Sequence, residues 1–164
     1  MNRISQLAAA LLLLGVISTT DAARPGKISK VLPHWLDLQG RHTLSPSLLE
    51  RDAYQAKLRA DRTLCSGIRF DIKWTKNTSD TVKLQLELRV TGETKPIVRE
   101  LAVKPSRRGG WDAVTLDGDA FRAIGKIIAW RVLLLNGNIE LAERRSFLWT
   151  ESKPAGDAEK PAAD

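Results

Sequence analysis

Two runs of strict alternation constrain this chain more than anything else in it. In the first, Ile68, Phe70, Ile72 and Trp74 alternate with Arg69, Asp71 and Lys73. In the second, Val82, Leu84, Leu86, Leu88 and Val90 alternate with Lys83, Gln85, Glu87 and Arg89. Successive side chains of a strand point to opposite faces, so a period of two predicts strands with one face in a core and one in water. Asn77–Asp80 is the polar loop between them, and its Asn77-Thr78-Ser79 matches a glycosylation sequon.

The rest of the chain extends that pattern. Gly92–Pro96 is a turn, followed by a strand over Ile97–Lys104, a basic loop and a short strand over Trp111–Leu116. Asp117-Gly118-Asp119 opens a single helical turn through Ile124, closed by Gly125. Strands over Lys126–Leu135 and Ile139–Trp149 meet at Asn136-Gly137, a dipeptide suited to a type I′ hairpin turn with positive φ at both central residues. That register sets Trp130 opposite Glu143 and puts a charge on the buried face, so a bulge near Glu143–Arg145 is predicted.

Upstream, Arg24–Arg41 reads as extended and irregular. It holds two short candidate strands, Val31–Pro33 and Trp35–Leu38, and Pro33 confines the first to a sheet edge. A helix is predicted from about Pro46 to Ala60. Ser45 before Pro46, or a Ser47–Glu50 capping box, would start it, and its stripe is Leu49, Ala53, Ala56 and Ala60. About seven short strands without βαβ units predict an all-β antiparallel sandwich carrying one N-terminal surface helix. A chain of 164 residues has room for one such domain.

The N-terminus reads as an export signal. Arg3 precedes an apolar run from Leu7 to Ile17, and small residues follow, with cleavage predicted after Ala22. The run is shorter than the ~20 residues a membrane-spanning helix needs. The expected organisation is therefore a signal peptide at 1–22, the sandwich at 23–150 and a disordered Pro/Ala/Gly-rich tail at 151–164. The expected location is periplasmic or secreted. Net charge is +7, and the acidic tail carries −2, which leaves about +9 on residues 23–150. With a single cysteine, Cys65, no disulfide framework or Cys-rich zinc module can form. Cys65 reads as a small hydrophobe at a strand entrance, with an intermolecular disulfide as the alternative.

The segment from Trp111 through Phe121, Gly125, Trp130-Arg131-Val132, Asn136-Gly137 and Phe147-Leu148-Trp149 resembles the final strands of fibronectin-III-like or immunoglobulin-like sandwiches. It is also similar to small secreted bacterial proteins of that build. The resemblance implies a fold and no catalytic residue. The antibody-type Cys–Trp–Cys core is absent, and Phe121 stands where a corner tyrosine would be.

Catalytic spacing is missing. His34 and His42 lie near Asp37 and Asp52 without an evident third ligand, so no metal is expected. No Gly-x-Ser-x-Gly elbow occurs, and Asp117 with Asp119 reads as turn chemistry. No cofactor and no enzymatic activity are expected. The most suggestive segment is the basic loop. Lys104, Arg107, Arg108 and Trp111, with neighbouring Arg122, form a candidate surface for phosphate, sulfate or carboxylate groups. The expected partner is an anionic envelope polymer, a glycan or another exported protein, and export argues against nucleic acid. A carbohydrate-binding module is the alternative. In it Trp35, Trp111 and Trp149 are the exposed candidates, while Trp74 and Trp130 are buried. A structural role in envelope assembly also fits.

Overall fold

The computed structural model describes residues 25–104 and 108–150. The expected signal peptide and acidic tail lie outside the described residues. Among the described residues seven strands form two antiparallel sheets. They are β1 (Gly26–Asp37), β2 (Cys65–Lys76), β3 (Lys83–Val90), β4 (Ile97–Ala102), β5 (Gly109–Asp117), β6 (Ile127–Asn136) and β7 (Ile139–Arg145). The three-stranded sheet runs β1-β2-β5 and the four-stranded sheet β4-β3-β6-β7. Helix α1 (Leu48–Ala60) connects β1 to β2, and α2 (Gly118–Ala123) connects β5 to β6.

The core is where the alternation places it. Ile68, Phe70, Ile72 and Trp74 face inward from β2 and are buried, as are Leu84, Leu86, Leu88 and Val90 on β3. Val132 and Leu134 complete the second inner face. Each such side chain contributes roughly 1.5–3 kcal/mol by leaving water. Trp74 also satisfies its only polar group, donating Nε1–H to Asp112 Oδ2 at 2.7 Å.

The β6–β7 hairpin differs from expectation. Asn136 pairs with Ile139, so the two-residue loop is Gly137-Asn138. Gly137 has φ 58°, and among the described residues no non-glycine residue has positive φ, which excludes type I′ and matches the φ signs of type II′. The bulge falls at Leu141, between the pairs Leu135–Glu140 and Leu134–Ala142, rather than at Glu143–Arg145. Together with the one-residue shift of the loop, it sets Glu143 opposite Leu133 instead of Trp130. The strand also stops at Arg145, short of the expected Trp149. Residues 146–149 turn, with Trp149 N–H donating to Ser146 O at 3.1 Å. Trp149 lands on the outer face of the second sheet, against the guanidinium groups of Arg89 and Arg131 at 4.7 and 4.9 Å.

The N-terminal region is more regular than expected. β1 is one 12-residue strand with an irregularity at Ser29, and Pro33 is tolerated because β1 pairs only with β2. Ser47 is the N-cap of α1, but its side chain makes no capping bond. The predicted stripe is wrong: Leu49, Ala53, Ala56 and Ala60 are exposed, and the packed face carries Gln55 and Leu58. Gln55 explains the difference. Its amide accepts from Trp35 N at 2.8 Å and donates to Trp35 O at 2.9 Å, the bonds a neighbouring strand would make. A third bond, to His42 O at 2.7 Å, ties down the connecting loop. The helix thereby covers the free edge of β1 through a polar side chain. The turn at the end of α2 depends on close approach, because a Cβ on Gly125 would sit 2.2 Å from Thr91 O.

Candidate functional site

The basic-loop residues separate. Lys104 follows β4, Arg108 precedes β5, and both are exposed, while Arg107 lies outside the described residues. Arg108 is anchored through its carbonyl, which accepts from Lys76 N at 2.9 Å. Trp111 is 47% exposed on β5. Arg122 does not join them. It sits on α2 beyond the far end of β5, roughly 20 Å along the strand from Trp111, and pairs with Asp119 at 2.5 Å.

The register supplies residues that sequence reasoning missed. Lys30 of β1 pairs with Lys73 of β2, which pairs with Trp111 of β5. All three face outward in one row, and Lys73 Nζ lies 5.9 Å from the centre of the Trp111 ring. Arg108 stands at the Gly109 end of the same sheet. This is a basic face with one exposed aromatic. Lys73 was readable as outward-facing from its parity, but its neighbours needed the register.

The three tryptophans of the carbohydrate-module alternative are not exposed together. Trp74 is buried, but Trp130 is only half-buried, stacked edge-on against Phe70 with centroids 6.4 Å apart. Trp149 is 5% exposed. Trp35 turns inward onto Phe121 at 5.9 Å. Trp111 alone is open to solvent.

Trp35 and Trp130 instead line a cleft that the sequence did not reveal. β1 has 12 residues and β7 seven, and beyond Arg145 the chain turns at residues 146–149 instead of continuing the strand. A cleft of about 590 Å³ opens there. Its floor includes Ile68, Phe70 and Trp130, and Pro33 and Trp35 form one wall. Its rim carries exposed Ile128, Phe147 and Leu148 and three cations, Arg59, Arg62 and Lys126. Arg62 is held in place, donating to Gly125 O at 2.8 Å and to Phe121 O, with its guanidinium 4.4 Å from the Phe121 ring centre.

The remaining chemical candidates are structural in their bonding. Asp37 accepts from Gln39 N, Arg41 N, Arg41 Nε and Tyr54 OH at 2.7–2.9 Å. Burial alone would push its carboxyl up, but the bonds from Arg41, Tyr54 and Gln39 outweigh that and lower it to about 2. The rings of His34 and His42 lie 5.0 Å apart, tilted at 49° to each other, and His34 Nε2 lies 3.4 Å from Asp71 Oδ2. Burial lowers both imidazoles below their usual range. Among the described residues no group of three or more His, Cys, Asp or Glu is placed to hold a metal ion. Cys65 is buried and donates Sγ–H to Leu58 O at 3.2 Å, and burial raises its thiol. Asp117 is the N-cap of α2 without a side-chain capping bond. Among the described residues no helix is long and apolar enough to cross a membrane.

No protein-family model matches the chain, and no curated protein matches it.

Proposed function

We propose that this chain is an exported, non-enzymatic binding module of fibronectin-III-like build that recognises an anionic partner in the envelope or outside the cell. The observation that carries the reading is the row Lys30–Lys73–Trp111, with exposed Arg108 just before the strand that holds Trp111. Lys30 and Lys73 on one rigid sheet face, with exposed Arg108 just before β5, offer cations to a repeating anion, and the exposed indole adds a flat surface for a sugar ring. An acidic polysaccharide satisfies both. The division into sheets β1-β2-β5 and β4-β3-β6-β7 supports the fibronectin-III-like assignment. The export-like leader supports placing the partner beyond the cytoplasm.

The test is retention on an immobilised sulfated polysaccharide and on envelope fractions across a salt series. Wild-type protein is expected to elute progressively earlier as salt rises, since exposed charges are screened within about 10 Å at 0.1 M. Lys30→Ala, Lys73→Ala and Arg108→Ala combined should abolish most of that retention without altering the circular dichroism spectrum. Unchanged retention in the triple variant overturns the assignment of the binding face. Retention that resists salt but is lost in Trp111→Ala favours the carbohydrate-module reading.

A further inference from the structure

We propose that the cleft between β1 and β6 is a second binding site, and that it takes a single-chain amphiphile with an anionic head. It lies apart from the basic face and does not depend on it.

Ile68 and Phe70 belong to the inner face of β2, so the cleft reaches the hydrophobic core itself. Ile68 and Phe70 are themselves closed to water, so a ligand gains its apolar burial against the half-buried Trp35, Ile127 and Trp130 that lie over them. The volume of about 590 Å³ falls within the range of small-molecule sites. The rim continues the apolar surface outward: Ile128 is 48% exposed, Leu148 61% and Phe147 99%. Exposed apolar side chains gathered at one mouth mark a surface that something covers.

Charge then selects the occupant. The lining contains Arg59, Arg62 and Lys126 and no Asp or Glu. A neutral hydrocarbon would leave three cations unanswered beside it. A hydrated polyanion cannot use the floor. An acyl chain bearing a carboxylate or phosphate uses both, with its chain against Trp35 and Trp130 and its head at the cations. Arg62 is suited to the head because its guanidinium is already held by two carbonyls, so ordering it on binding costs little.

The experiment titrates the purified protein with laurate and with dodecyl phosphate, each below its micelle concentration, and follows tryptophan fluorescence and heat. Lauryl alcohol and acetate test the chain and the head separately. Saturable one-to-one binding of an anionic probe is expected, with acetate silent. The relative affinities of laurate and dodecyl phosphate assign the head group. Arg59→Glu with Lys126→Glu, both exposed, should weaken the anionic probes at least about tenfold while leaving lauryl alcohol nearly unchanged. Ile128→Asn should weaken all three. The Lys30/Lys73/Arg108 triple variant should bind laurate like wild type, which separates this site from the basic face. Failure of both anionic probes to saturate overturns the proposal, as does indifference to the paired charge reversal. Binding to phosphatidylglycerol vesicles without binding of monomeric amphiphile also overturns it, because that would make the cleft a membrane-docking surface.

Discussion

Asp37 concentrates more polar bonding than any apolar pattern would suggest. Its carboxylate gathers the end of β1, the following turn and α1 through Gln39, Arg41 and Tyr54. Asp37→Asn keeps one acceptor oxygen but turns an NH2 group toward groups that are themselves donors. The expected loss at pH 7 is about 2 kcal/mol, the cost of leaving buried donors unsatisfied. The pH dependence follows from the lowered carboxyl. A group near 3.8 when unfolded and about 2 when folded stabilises fully above its unfolded value and loses that contribution as pH falls through about 2. Urea unfolding of wild type and Asp37→Asn should therefore show a gap that is constant above pH 5 and narrows toward pH 2. A gap of constant size down to pH 2 would mean that the ionised carboxylate is not what holds the turn.

At the scale of elements, legibility followed the source of each element's stability. β2 and β3 were readable because burial of one face dictates their pattern residue by residue. α1 was placed within two residues of its N-terminus, yet its face was misread, because Gln55 rather than an alanine stripe joins it to β1. The hairpin was legible as a hairpin, but a shift of one residue in the loop and the bulge at Leu141 altered the whole register. β7 ends early because Trp149 finds a better place across the second sheet than in the strand. Trp149→Ala removes a nearly buried indole from between Arg89 and Arg131 and should cost about 3 kcal/mol. Trp149→Phe should stay within about 1 kcal/mol of wild type, since a ring is retained. The indole Nε1 is buried without a hydrogen-bond partner among the described residues, so its removal breaks no bond there. Chemical denaturation of both variants checks this. A Phe variant as damaged as the Ala variant would show that the indole N–H matters after all.

Both candidate sites belong to the whole molecule, which is why the sequence showed them only in part. The basic face needs three strands in register, and the cleft needs residues from Pro33 to Leu148 brought together. The same holds for the His34–His42 pair, whose surroundings come from four segments. His34 lies on β1 and His42 in the loop after it, with Arg51 on α1 and Arg69 and Asp71 on β2. Burial lowers both imidazoles most. Arg69 and Arg51 act in the same direction on both, and for His34 so does His42, against the opposing pull of Asp71. A histidine whose folded value lies below 6.5 stabilises the fold fully above its unfolded value. That contribution is lost as pH falls through the folded value, because protonation forces cations together in a half-buried space. The urea midpoint of the wild-type protein should consequently fall between pH 7.5 and pH 5, well above the window in which Asp37 acts. His34→Asn with His42→Asn should flatten the profile over that interval while preserving the decline toward pH 2. An equally steep decline in the double variant would place the titrating group elsewhere and remove this pair as a cause of acid sensitivity.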